Sequence, residues 1–175
     1  MNSHEILIWF IEPETIQDPA RLSRFLQWLS PEERAQHQRF RFDKHRHTYL
    51  VSHALMRGAL SLSTQVEPAQ FAFKTNAYGK PFVVAPTKHQ TVNFNLSHTD
   101  GLAAIAISKD TELGVDVENK HRQDLTQELA EHFFAPEECQ VVAQYSEHER
   151  AIKMLEFWTL KESYIKAVGQ GLSIA

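Results

Sequence analysis

Two acids in the stretch Leu113-Gly114-Val115-Asp116-Val117-Glu118 are spaced so that a strand would aim both at one ion. A period of two sends Leu113, Val115 and Val117 to one face and Gly114, Asp116 and Glu118 to the other. The acid-bearing residues then stand about 6.6 Å apart along the backbone. Their unequal side-chain lengths let the oxygens converge on a hard cation such as magnesium, which takes oxygen ligands at about 2.1 Å. Gly114 on the same face leaves room for a bulky ligand. The same pattern also fits an exposed strand edge carrying two solvated acids. Further along, Trp158, Glu162 and Lys166 are each four apart and share one side of a helix. Leu155 and Ile165 border that side, which brings Glu162 and Lys166 toward the protein body. The spacing alone equally describes a routine helical Glu-to-Lys pair.

The elements that must position these groups follow from periodicity. Ile6 to Ile11 reads as a first strand, Pro19 to Leu29 and Pro31 to Leu62 as helix, with Ser30 as a cap. From Phe71 the texture changes to short β-type runs at Phe71–Phe73, Phe82–Val84, Val92–Phe94 and Leu102–Ile107. Turn chemistry separates them, as in Asn76-Ala77-Tyr78-Gly79-Lys80-Pro81 and Asp100-Gly101, and the runs suggest one small sheet. Leu113 to Glu118 reads as another strand, then Leu125–Phe134, Pro136–Tyr145 and about Glu147 to Val168 as helices. The order points to an α+β protein.

Composition narrows the class. The chain has 175 residues, a net charge of −4 and one cysteine. The acidic balance argues against a general grip on nucleic acid. Cys139 alone supports neither a disulfide framework nor a Cys-Cys zinc pattern, which suits a reducing cytoplasm, and it reads as an ordinary helix residue. The first apolar run is too short for a membrane span. Ten histidines are scattered without a metal-ligand spacing.

Read in order, Tyr78-Gly79-Lys80-Pro81, Phe94-Asn95-Leu96-Ser97-His98, Gly114-Val115-Asp116-Val117-Glu118, Trp158-x-x-Lys161-Glu162-Ser163-x-x-Lys166 and Gly169-x-Gly171-Leu172-Ser173 form an ordered set. Together with Ser30-Pro31-Glu32, Arg39-Phe40 and Arg46, this set resembles the surfactin-type phosphopantetheinyl transferases of the holo-acyl-carrier-protein synthase superfamily. The resemblance implies two pseudo-symmetric halves, each a small antiparallel sheet with helices. The first would span residues 1–108 and the second residues 109–175, incomplete at its C-terminus, with coenzyme A in the cleft between them. It implies Asp116, Glu118 and Glu162 as magnesium ligands, Lys80 beside the adenine and its phosphates within Tyr78, Gly79, Lys80 and Pro81, and Ser97, His98 and Lys166 on phosphate groups. Arg46 and Thr48 would hold the ribose phosphate. The basic residues that the family carries just after Ser-Pro-Glu fall here at Glu33 and Gln36.

The implied reaction moves the phosphopantetheine arm of coenzyme A to a serine of an apo acyl or peptidyl carrier protein. Glu162, directly or through a bound water, would be the general base, with Lys166 and His98 stabilising charge. Because the family's carrier proteins are acidic, Asn119-Lys120-His121-Arg122 is expected to help dock one. Neither nucleic acid nor membrane is an expected partner, and the expected active unit is a cytoplasmic monomer. Two other classes share these residues: a carboxylate-metal nuclease, and a truncated coenzyme A-binding remnant without turnover. Phe133, Phe134 and Leu172-Ser173 read as packing.

Overall fold

The computed structural model of the chain describes residues 5–122 and 132–171. The expected helix at Leu125–Phe134 falls largely outside these residues, as does Leu172-Ser173. The fold is α+β. Strand β1 (Ile6–Ile11) runs antiparallel to β5 (Leu102–Ser108), which pairs on its other side with β4 (Asn93–Thr99). A separate antiparallel pair joins β2 (Ala72–Thr75) to β3 (Pro81–Ala85). The strands from Phe71 onward thus divide between two sheets rather than forming one, since a 3-10 turn at Thr87–His89 interrupts the chain between β3 and β4.

Helix α1 (Pro19–Trp28) starts at Asp18, whose side chain accepts from the Ala20 amide. Helix α2 (Pro31–Arg39) starts at a reciprocal cap, in which Ser30 Oγ accepts from the Glu33 amide at 3.2 Å and Glu33 accepts from the Ser30 amide at 2.8 Å. The expected single helix from Pro31 to Leu62 is broken before α3 (Asp43–Thr64). At the break, Arg46 Nη2 donates to the Phe40 carbonyl at 2.7 Å, meeting an acceptor that has lost its helical donor. The Phe40 ring is drawn toward Tyr49, 5.2 Å away between centroids.

The core lies between α3 and the sheet. Met56 and Leu60 of α3 meet Phe71, Val83, Phe94, Ile105 and Ile107. Arg57, on the same helix, is 1% exposed. It lies 2.7 Å from Glu33, donates to the carbonyls of Pro68 and Phe71, and stacks over Phe73 at 5.0 Å. Burying a guanidinium requires this degree of pairing. A second apolar cluster gathers Phe134, Val142 and Met154 with Phe157 and Trp158, joining α4 (Pro136–Ala143) to α5 (Glu147–Val168). Phe134 packs there, as expected, and Cys139 lies in the same cluster, whereas Phe133 is exposed and meets the cluster through a ring contact with Trp158.

One expected strand is absent. Leu113 to Glu118 runs beside β4 without joining its ladder, because side chains rather than carbonyls take its amides. Asn95 Oδ1 accepts from Val115 N at 2.9 Å, and Ser97 Oγ from Val117 N at 3.4 Å. Gly114 does not leave space for a ligand either. A Cβ there would lie 1.9 Å from the Ser163 carbonyl oxygen and 2.5 Å from the Ala167 nitrogen, so the missing side chain admits the backbone of α5. Among the described residues no helix is long and apolar enough to cross a membrane.

Candidate active site

Strand β4 separates two environments by alternation. Phe94 and Leu96 point to the core, whereas Asn95 and Ser97 point to the Leu113–Glu118 segment. Because Gly114 lets α5 lie against that segment, a lysine from α5 reaches the same spot. Lys166 Nζ donates to Asp116 Oδ1 at 2.5 Å and to Ser97 Oγ at 2.9 Å, while Ser97 Oγ donates to Asp116 Oδ1 at 2.9 Å. Three residues separated by 19 to 69 positions therefore share one polar knot. The Asp116 side chain is 5% exposed, and its second oxygen, Oδ2, is buried without a hydrogen-bond partner. A carboxylate oxygen left so is costly unless something cationic is meant to meet it.

Glu162 lies one helical turn before Lys166. Its pKa is pushed above the ordinary carboxylate range, chiefly by burial and further by Asp116 and Glu118, with Lys166 and Arg122 opposing the shift. The three acids thus share one electrostatic field. Glu118 is held by Arg122, whose guanidinium also lies 5.1 Å over the Trp158 ring. Arg122 is therefore a half-buried tie to the site rather than a freely presented surface charge, while Lys120 and His121 are exposed. Among the described residues no three His, Cys, Asp or Glu side chains form a ready metal-holding group. In donor chemistry the acids suit magnesium: all are oxygen ligands, each lies within electrostatic reach of Glu162, and Asp116 Oδ2 is unclaimed. Lys166 and Arg122 occupy the positive role beside Asp116 and Glu118.

An open cleft of about 250 Å³ lies beside the knot. One wall is the turn Tyr78, Gly79, Lys80 and Pro81, and the other is the face of α5 bearing Glu162, Ile165 and Lys166, with Asn95 also lining it. Gly79 has a φ of +89°, which the turn requires and side chains resist. The Lys80 ammonium is engaged within the protein, 2.7 Å from Glu112 and 2.7 Å from the Ala167 carbonyl.

His98 stands apart from the hydrogen-bonded knot. Alternation turns it to the opposite face of β4 from Ser97, and its pKa is lowered by burial and by Lys166. Arg46 and Thr48 lie on the first turns of α3, where Arg46 is bound to Asp43 and the Phe40 carbonyl, and neither lines the cleft. Glu33, at one of the positions where the family carries a base, is spent on capping α2 and neutralising Arg57. Asn76 was not singled out from the sequence, although its amide joins the β2–β3 turn to Gly169 O, at the edge of the cleft, at 2.8 Å. Its only signal was its place at the head of a turn.

A family model described as 4'-phosphopantetheinyl transferase, N-terminal, matches residues 17–110, and one described as 4'-phosphopantetheinyl transferase superfamily matches residues 112–175. The chain is 30% identical over 171 residues to the 4'-phosphopantetheinyl transferase HetI of Nostoc sp., covering 98% of this chain and 71% of that protein. It is 31% identical over 152 residues to the 4'-phosphopantetheinyl transferase Sfp of Bacillus subtilis, covering 86% and 65%. It is 32% identical over 157 residues to a phosphopantetheinyl transferase of Thraustochytrium sp., covering 82% and 54%. The chain thus spans between about half and seven-tenths of the length of these curated relatives. In fold, 58% of it overlays 91% of a holo-(acyl-carrier-protein) synthase from Bacillus anthracis with a TM-score of 0.47 and 20% identity.

Proposed function

We propose that this chain, which belongs to the 4'-phosphopantetheinyl transferase family, transfers the phosphopantetheine arm of coenzyme A to a serine hydroxyl of an apo acyl or peptidyl carrier protein. The observation that carries the reading is the knot of Ser97, Asp116 and Lys166 beside the cleft, with Glu162 raised in pKa on the same wall. In the reaction the serine oxygen forms a bond to the β-phosphorus of coenzyme A, and the bond from that phosphorus to the bridging oxygen breaks. The electron pair leaves with adenosine 3',5'-bisphosphate. The serine proton would go to Glu162, directly or through a bound water, since its carboxylate lines the cleft one helical turn from Lys166. Lys166, released from Asp116, would turn its ammonium to the phosphate oxygens, and Ser97 would hold it in reach.

Asp116, Glu118 and Glu162 would hold magnesium. A bound magnesium ion would supply charge neutralisation for the diphosphate. Tyr78 to Pro81 would support the nucleotide from the facing wall, with His98 contributing at longer range and Arg46 and Thr48 reached only by an extended ligand. Lys120 and His121 would meet an acidic carrier at the mouth of the site. The halves at residues 1–108 and 109–175 would enclose coenzyme A, and the working unit would be a cytoplasmic monomer.

The test is mass spectrometry of several apo carrier proteins incubated with the chain, coenzyme A and magnesium. A mass gain equal to phosphopantetheine on the carrier serine is expected, with loss of that gain in Asp116→Ala while the fold is retained. Coenzyme A binding without transfer to any carrier would replace the proposal with a binding protein, and cleavage of added nucleic acid would replace it with a nuclease.

A further inference from the structure

The turn between β2 and β3 is built on one side chain. Asn76 Oδ1 accepts from the amides of Tyr78 at 2.9 Å and Lys80 at 3.0 Å, and the Asn76 backbone closes on Lys80 O at 2.9 Å. This acceptor half shapes the wall of the cleft formed by Tyr78 to Pro81. The donor half does something else: Nδ2 gives its hydrogen to the carbonyl of Gly169, 93 positions away, at 2.8 Å. Beside it Lys80 Nζ donates to the Ala167 carbonyl at 2.7 Å. Ala167 lies in the last turn of α5 and Gly169 caps it, at the end of the helix where carbonyls have no helical donor left and a cation is favoured. The fit is close. Gly169 has a φ of +70°, and a Cβ on it would lie 2.7 Å from Lys80 Cδ.

We infer that Asn76 is a positioning residue that sets the width of the cleft, its one amide shaping the Tyr78–Pro81 wall and tying it to the end of the helix that carries Glu162 and Lys166. Lys80 acts as a second strut through Ala167. The clamp touches no reacting atom, so it governs how a ligand fits between the walls rather than how the proton moves. The choice of coenzyme A as that ligand rests on the proposed function. The clamp itself rests on the geometry alone.

Asn76→Asp separates the two halves of the amide. The carboxylate still accepts from the Tyr78 and Lys80 amides, but it faces the Gly169 carbonyl with no donor to give. Hydrogen exchange of the ligand-free protein should show the amides of Lys166 to Gly169 opening about tenfold faster in Asn76→Asp, as expected for loss of one hydrogen bond, with β4 and β5 unchanged. Titration calorimetry should show coenzyme A binding weakened by a similar factor, and steady-state transfer should show a raised KM with kcat within threefold. Wild-type exchange in the last turn of α5 would overturn the clamp. Faster exchange with unaltered coenzyme A affinity would overturn its control of cleft width. A kcat loss at unchanged KM would overturn the assignment to positioning rather than chemistry. If the wild type binds no coenzyme A, the functional proposal fails, and the exchange result still decides the clamp.

Discussion

Gly114→Ala places the whole arrangement under strain at one atom. The added Cβ would meet the Ser163 carbonyl oxygen at 1.9 Å and the Ala167 nitrogen at 2.5 Å. Both obstacles are backbone, so no side-chain rotation relieves them. Ordinary contact begins at 3.4 Å, so the segment and α5 must part by about 1.5 Å, with a stability cost of about 1–3 kcal/mol for overpacking. Asp116 stands two residues from the wedge, and Glu162 and Lys166 flank the atoms it strikes. The Lys166–Asp116 contact of 2.5 Å therefore cannot survive unchanged. A misplacement of about 1 Å at a reacting group costs on the order of 10²-fold in rate. Steady-state transfer to an apo carrier, followed by mass spectrometry, should show kcat/KM lower by about two orders of magnitude in a variant that circular dichroism shows to be folded. A folded Gly114→Ala with kcat/KM within threefold of wild type would refute the idea that close approach of α5 builds the site.

Two further expectations concern the scaffold. Removing the buried guanidinium in Arg57→Ala strands Glu33 and two carbonyls, so urea unfolding should show a loss of about 3–5 kcal/mol, and a loss below about 1 kcal/mol would contradict the pairing described. Burial pulls the His53 pKa down, with Arg57 and His98 acting in the same direction and Glu33 and the Tyr49 carbonyl opposing them. The unfolded chain then takes a proton at about pH 6.5 while the folded one resists it. The stability due to a neutral His53 is complete above that pH and falls as the pH drops toward the folded value. His53→Phe, which can keep a ring against Tyr49, should flatten this acid limb in pH-dependent unfolding, and an unchanged limb would remove His53 from the account.

Much of the scaffold was legible because local chemistry and tertiary packing agree. The apolar run Leu102–Ile107 folds as the buried strand β5, and the Ser30 cap starts α2, both as expected from the sequence. The stretch from Leu113 to Glu118 shows where periodicity misleads. Alternation set its side chains correctly enough to bring Asp116 to Ser97, but strand assignment depends on what its amides bond, and Asn95 and Ser97 supply side-chain acceptors that no pattern within the segment reveals. The break at Phe40–Phe42 was hidden because Arg46, six residues on, satisfies the Phe40 carbonyl. Gly114 was recognised as a place without a side chain, yet what fills that space is a helix some 50 positions away. Asn76 and Arg57 escaped notice for the same reason: their partners lie 93 and 24 positions off, and spacing along the chain carries no trace of them.

Under the proposed function, Asp116, Glu118 and Glu162 would hold a divalent ion, with Lys166 displaced from Asp116. Manganese in place of magnesium makes this visible by electron paramagnetic resonance, titrated into wild type and Asp116→Asn with saturating coenzyme A. The account expects one tightly held ion per wild-type chain and its loss in Asp116→Asn. Equal manganese occupancy in the two proteins would contradict it.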